Sequence, residues 1–294
     1  MEEATTAAER NSGARVILYC VESAAYQLLS AWAAREHHSV VLVVTTPGRP
    51  DHRNTMYRDV VALAPPEQDV LVTTGMRRIA PMIATLAPDL IVSFTFPFRI
   101  PPEVTTIPRY GAVNLHPAPL PRYRGPNPVR MIYNGEPTLA ATLHRSVPEF
   151  DAGAILSRHE RPLPDDPSLD NILAAWDEIM MAVLTEGTRR ALAGEPGTPQ
   201  DDALASYAPP FTDEELWLDW NEPKVTIQRR ASALNLVTVQ AKGMIDGKEY
   251  RIHRVTPLPD AAPADPPGRL LGRHDGVMRI RAADGVVEVV ATEP

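Results

Sequence analysis

The 294-residue sequence contains a single cysteine, Cys20. One thiol excludes an intramolecular disulfide and any thiolate metal cluster, and it suits a reducing cytoplasm. Cys20 closes the apolar run Val16-Ile-Leu-Tyr-Cys20, where the ordinary role is that of a small buried hydrophobe. Positive charge is also scarce. The chain carries 29 Lys and Arg against 37 Asp and Glu, a formal net charge of −8, so no global field exists to attract DNA or RNA. No apolar stretch approaches the length of a membrane span. Residues 1–13 lack the basic and apolar regions of a signal peptide and read as a disordered leader. The scattered histidines His37, His38, His52 and His144 show no metal-ligand spacing, so no metal is expected.

What remains is an ordinary globular composition, with 44% hydrophobic and 22% charged residues, over a length that suggests two domains. Short apolar runs at Arg15–Cys20, Ser39–Thr46, Val70–Thr73 and Asp89–Phe94 alternate with helical stretches at Ser23–Glu36 and Arg78–Leu86. Ser23 is a plausible N-cap. Continuous apolar strands separated by helices predict a parallel sheet covered on both faces, a doubly wound α/β domain of Rossmann-like type. A fifth strand is expected at Gly111–His116, two more at Leu139–Val147 and Ala154–Glu160, and a long amphipathic helix over 168–193 ended by Gly194. Residues 195–210, rich in Gly, Pro and Asp, read as a linker. Beyond it come a helix near 223–235 and short strands at 248–255, 269–272, 277–281 and 286–290, with Asp-Gly turns at 246, 275 and 284. These predict a small β-barrel-like (OB-like) domain over 211–294, after a catalytic domain over 14–194.

Asn114 and His116 stand two apart on the fifth strand, so their side chains share a face. They also lie at its carboxyl end, where open parallel sheets bind ligands. Three prolines, Pro117, Pro119 and Pro121, stiffen the loop that follows, and Gly125 closes it. Asp151 occupies a tight connection before Ala152 and Gly153. By spacing alone it reads more readily as a turn aspartate than as a catalytic one.

Together, Asn114-x-His116, the loop from His116 to Gly125 (HPAPLPRYRG) and Asp151-Ala-Gly153 resemble the signature of the folate-dependent formyltransferases. The usual loop has Ser-Leu-Leu-Pro where this chain has Ala118-Pro-Leu-Pro121. Tyr207-Ala208, Leu218-Asp-Trp220 and the β-rich tail resemble the carboxyl-terminal domain of the members that act on methionyl-tRNA or form modified aminoarabinose. The resemblance covers roughly residues 15–290. It implies 10-formyltetrahydrofolate as donor, with the pterin near Phe94, Phe96, Pro97, Phe98, Arg99 and Ile100, the loop residues Leu120, Pro121 and Gly125, and the turn residues Glu149, Phe150 and Gly153. It implies Asn114 and, when protonated, His116 as hydrogen-bond donors to the oxyanion of a tetrahedral intermediate. It also implies His116 as the base for the incoming amine, with basicity raised by Asp151.

The acceptor is a separate question. The stretch after the second strand, Pro47–Gln68, balances Arg49, Arg53 and Arg58 against Asp51, Asp59 and Glu67, whereas tRNA-modifying members resemble one another in a basic insertion there. The tail over 209–294 is slightly acidic, and Asn235 is followed by Leu-Val rather than the usual Trp-Pro. Leu143-His-Arg145 and Asp151-Ala-Gly-Ala-Ile155 look closer to the sugar-modifying branch. A small-molecule amine is therefore the expected partner, with tRNA disfavoured by charge and no DNA or membrane partner. Arg122, Arg124 and Arg130 could grip the diphosphate of a nucleotide-linked sugar. A formyl-folate hydrolase, with water replacing the amine, and a non-catalytic folate-binding module are the other readings of the same residues.

Overall fold

The computed structural model describes residues 13–49, 52–259 and 264–294; the side chains of Arg49 and His52 and most of the expected leader lie outside the described part. In chain order the elements begin with β1 (Arg15–Tyr19), α1 (Ser23–Arg35), β2 (Ser39–Thr45), the two-residue pair β3 (Gly48–Arg49) and β4 (His52–Arg53), α2 (Tyr57–Leu63) and β5 (Val70–Val72). A 3-10 turn over Met76–Ile79 runs into α3 (Ala80–Thr85), followed by β6 (Leu90–Ser93), α4 (Pro102–Thr105), β7 (Ala112–His116) and α5 (Arg130–Asn134). Then come β8 (Thr138–Arg145), β9 (Ile155–Pro162) and α6 (Leu169–Leu192). The chain ends with α7 (Lys224–Leu234), β10 (Lys242–Ile245), β11 (Lys248–Pro257), β12 (Leu270–His274), β13 (Val277–Ala282) and β14 (Gly285–Thr292).

Seven strands form one sheet in the order β5-β2-β1-β6-β7-β8-β9. From β5 to β7 every pairing is parallel, as the near-continuous apolar strands require. Val16, Ile17, Leu18, Tyr19, Leu90, Ile91 and Val92 are fully buried. The sheet then turns mixed, because β8 runs antiparallel to β7, setting Asn114 opposite His144 and His116 opposite Thr142. Strand order reverses between β1 and β6, the crevice at which doubly wound sheets bind ligands.

Local chemistry explains the boundaries. Ser23 is the first residue of α1 rather than its cap; the N-cap is Glu22, without a side-chain cap bond. Gly194 takes a left-handed φ of 79°, and its N–H and that of Glu195 close on Ala191 and Arg190, which ends α6 as expected of a C-terminal glycine. Asp246-Gly247 and Asp275-Gly276 both have positive φ at each residue, the two-residue hairpin turn that matches strand twist.

By its internal contacts the chain divides into two compact units, each assembled from separate segments: 1–124, 141–159 and 179–206, and 125–140, 160–178 and 207–294. In the second unit a five-stranded antiparallel sheet, ordered β10-β11-β14-β13-β12, buries Ile245, Tyr250, Ile252, Val255, Met278, Ile280, Val287 and Val289 with Ile227, Ala231 and Leu234 of α7. Its strand order leaves β10 and β12 as edges. Among the described residues, no helix is long and apolar enough to cross a membrane.

Candidate active site

The chemistry-bearing residues converge in the first unit. β7 carries Asn114 and His116 on one face, and the β8–β9 connection returns Asp151 beside them. The Asn114 Nδ2 lies 3.4 Å from Asp151 Oδ1 and 3.2 Å from His144 Nε2. At its other end, Asn114 Oδ1 accepts a 2.7 Å hydrogen bond from the Ser93 hydroxyl at the end of β6. Flipping the amide would aim its oxygen at the Asp151 carboxylate, so the network fixes the N–H groups toward the site.

His116 is almost wholly buried. Its Nε2 lies 2.8 Å from the carbonyl oxygen of Tyr123. A carbonyl only accepts, so Nε2 keeps the proton, and Nδ1 presents a lone pair. That Nδ1 lies 3.7 Å from Asp151 Oδ1. Burial holds the His116 pKa below its ordinary value, outweighing the upward pull of Asp151 and of the Tyr123 carbonyl; His144 pushes it further down. The expectation that Asp151 raises the basicity of His116 is met in direction only. Desolvation wins, which favours the neutral ring, and the Asp151 carboxylate faces its Nδ1.

Asp151 adopts a left-handed backbone, φ 53°, which short polar side chains tolerate better than others. Gln200 holds that turn. Its Nε2 donates to the carbonyl oxygens of Asp151 (2.7 Å) and Gly153 (2.8 Å), while its Oε1 accepts from Arg124 at 2.8 and 3.0 Å. Gly153 has no room for a side chain, since a Cβ there would sit 1.7 Å from the Arg145 carbonyl oxygen. Gly153→Ala is therefore expected to displace the Asp151 turn, lowering both the thermal midpoint and turnover, the latter by about tenfold or more, as an ångström-scale misplacement does. Calorimetry and steady-state rates on the variant check this.

The proline loop is fixed as a wall. The Thr142 hydroxyl donates to Ala118 O (2.7 Å) and accepts from Leu120 N (3.3 Å), and Arg158 donates to Leu120 O. Leu120 is fully buried, so its side chain packs rather than lining a ligand surface, and Pro121 follows through a cis peptide bond. Ser206 ties the loop's far end, its hydroxyl accepting from Tyr123 N at 2.9 Å. Gly125 belongs to the second unit, where its positive φ and the Tyr207 ring leave no space for a Cβ.

The remaining donor-binding candidates separate into two groups. Pro97, Phe98, Arg99, Ile100 and Phe150 line a cleft of about 920 Å³ together with Arg77, Arg78 and Gly75. Phe150 is half exposed, with the Arg99 guanidinium 4.3 Å above its ring. Flat apolar walls and cationic rims fit a planar aromatic ligand bearing carboxylates. Phe94 and Phe96 stand behind this surface. Phe94 is buried, and Phe96 packs edge-on against Tyr19 with 5.2 Å between centroids. Glu149 is exposed.

Residues missed in the sequence are His144, Ser93, Thr142, Gln200 and Ser206. In the sequence His144 belongs only to a branch likeness, and the others carry no motif: Ser93 meets Asn114 through the parallel pairing of β6 with β7, His144 and Thr142 act through the antiparallel pairing of β7 with β8, and Gln200 and Ser206 come from the segment read as a linker. Arg124 and Arg130 are engaged internally, the first with Gln200 and Asp202 and the second with Glu215, Pro209 O and Pro210 O. Cys20 is buried, its thiol pushed up to about 12 by desolvation and by nearby Glu22, which leaves it inert at neutral pH.

Residues 16–186 match the family model described as Formyl transferase. The chain belongs to the formyl transferase family. Its tail, residues 210–294, matches the model described as Formyl transferase, C-terminal domain. A methionyl-tRNA formyltransferase of Moorella thermoacetica is 31% identical over 210 residues, covering 67% of this chain and 66% of that protein. HypX of Aquifex aeolicus, solved with tetrahydrofolic acid, superposes with a TM-score of 0.71 at 21% identity, over 95% of this chain and 44% of HypX. An N-formyltransferase of Helicobacter canadensis, solved with folinic acid and dTDP-3-aminofucose, superposes with a TM-score of 0.64 at 13% identity, over 94% and 98% of the two chains. The chain thus spans just under two-thirds of the Moorella relative and less than half of HypX. At these identities the two solved structures establish the shared fold. The formyl transferase family is an enzyme family that uses formyl-tetrahydrofolate.

Proposed function

We propose that this chain transfers a formyl group from 10-formyltetrahydrofolate to the amine of a small-molecule acceptor, an amino sugar or a biosynthetic intermediate. The observation that carries the transfer is the convergence of Asn114 Nδ2, His116 Nδ1 and Asp151 Oδ1 within 3.4–3.7 Å contacts. In this reading the Asn114 amide donates to the formyl oxygen as the amine nitrogen attacks, supporting the oxyanion. His116 Nδ1 takes the amine's proton, and Asp151 stabilises the imidazolium. Collapse breaks the bond to the folate nitrogen, which leaves with a proton. The cleft formed by Pro97–Ile100 and Phe150 orients the donor.

Charge supports the small acceptor. The net charge of −8 and the balanced Pro47–Gln68 stretch offer little counterion release to a tRNA. The N-formyltransferase of H. canadensis, solved with dTDP-3-aminofucose, shares the fold over nearly its whole length. The second reading is a methionyl-tRNA formyltransferase, favoured by the Moorella relative and by the matching C-terminal domain.

One experiment separates them. Charged initiator tRNA and a panel of nucleotide-linked amino sugars are presented with formyl-folate at matched salt, and each product is followed by mass for the gain of one formyl group. The expected result is formylation of a small amine, with negligible tRNA turnover. Faster formylation of methionyl-tRNA than of every small amine overturns the acceptor assignment and leaves the site chemistry intact. Release of formate without any acceptor favours the hydrolase.

A further inference from the structure

Asn114 has two tasks in the proposed reaction that compete for the same group. Its amide N–H must be free to meet the formyl oxygen, yet a carboxylate stands 3.4 Å from its Nδ2. Ser93 fixes only the oxygen end. Something on the N–H side has to hold the amide plane without tying up both protons.

His144 is the group in that position. It lies on β8, opposite Asn114 in the antiparallel register, and it is buried. Its Nδ1 is 2.9 Å from the carbonyl oxygen of Arg145, so Nδ1 carries the proton and Nε2 is left as an acceptor. That Nε2 lies 3.2 Å from Asn114 Nδ2 and 3.5 Å from Asp151 Oδ1. Nε2 can therefore accept one amide proton and draw that N–H away from Asp151, leaving the other for the formyl oxygen. The arrangement repeats the logic at His116: a backbone carbonyl selects the tautomer, and the other ring nitrogen faces the site.

We propose that His144 is a positioning residue for formyl transfer, acting through Asn114 by accepting one amide N–H so that the other is aimed at the formyl oxygen. This rests on the formyl-transfer reading above. It yields a prediction that a packing role would not: the side chain matters through one acceptor atom rather than through its volume. Glutamine places an acceptor near the Nε2 position, whereas leucine fills the space without one.

The test compares His144→Gln and His144→Leu in the full chain. Formyl-folate binding is measured by fluorescence titration, turnover by formyl gain on the acceptor or formate release, and the Asn114 side-chain amide by 15N NMR. His144→Gln is expected to keep turnover within about tenfold of the parent. His144→Leu is expected to lose about a hundredfold or more in kcat, the scale of a lost oxyanion donor, with folate affinity unchanged within a few-fold. The Asn114 amide protons are expected to be inequivalent and slow to exchange in the parent and in His144→Gln, and averaged in His144→Leu. Equal rates in the two variants, or a loss confined to folate affinity, overturn the proposal. If the leucine variant fails to fold, the glutamine variant decides: full loss of turnover in a folded His144→Gln protein with an unaltered Asn114 amide signal is equally fatal. If the parent itself transfers no formyl group, the function assigned above fails, and the NMR comparison still tests whether His144 holds Asn114.

Discussion

Replacing His116 by alanine is expected to lower turnover by about two to four orders of magnitude, the range for loss of a general base. The argument rests on three features of the ring. It is buried, its Nε2 proton is committed to Tyr123 O at 2.8 Å, and its Nδ1 faces Asp151. No other described side chain within that network offers a neutral nitrogen toward the same point except His144, whose Nε2 is directed at Asn114. Alanine would also remove the His116 bond to the Tyr123 carbonyl, so folding has to be checked by thermal melting alongside the rate. The burial of His116 gives the pH dependence a sign. Its pKa is held below the usual histidine value, so kcat/KM should be flat through neutrality and fall as pH drops through that depressed value. The same group makes the unfolded chain bind more protons than the folded one between the depressed and the ordinary pKa. Stability is therefore expected to decline with acidification across that window. A folded His116→Ala protein with near-parental turnover would remove the base from the mechanism.

Asp151→Asn is the second large effect. The substitution keeps the shape of a side chain that sits in a left-handed turn, a conformation asparagine tolerates, and the Gln200 bonds to the backbone oxygens of residues 151 and 153 persist. What changes is charge. Asp151 is the main influence raising the His116 pKa against burial. Without it, the neutral ring becomes a weaker base and the imidazolium formed during transfer has no counter-charge. Turnover is expected to fall by about two orders of magnitude or more. The acid limb of the pH–rate profile should move to lower pH, not higher. The shift separates an electrostatic role from a structural one, since a turn aspartate would change rate or stability without moving the limb. An unchanged profile at parental rate would mean that Asp151 only shapes the turn.

Much of this molecule was legible in its residues. Continuous apolar runs at β1, β2 and β6 call for burial on both faces, so a doubly wound sheet followed from apolar patterning. The spacing of Asn114 and His116 placed both on one strand face by the period of two. The Asp-Gly turns announced the C-terminal hairpins because only such residues accept positive φ cheaply.

Tertiary structure alone decided which groups meet. Pairing β8 antiparallel to β7 brings His144 to Asn114 and Thr142 to the proline loop; strand order and direction depend on how layers pack, not on local sequence. The segment 195–210, rich in glycine and proline, carries Gln200 and Ser206 to the Asp151 turn and to Tyr123; a polar loop residue advertises nothing until its partner is known. The sign of the His116 shift was likewise out of reach. A neighbouring carboxylate is visible in the sequence, but the burial that outweighs it is a property of everything packed around the ring.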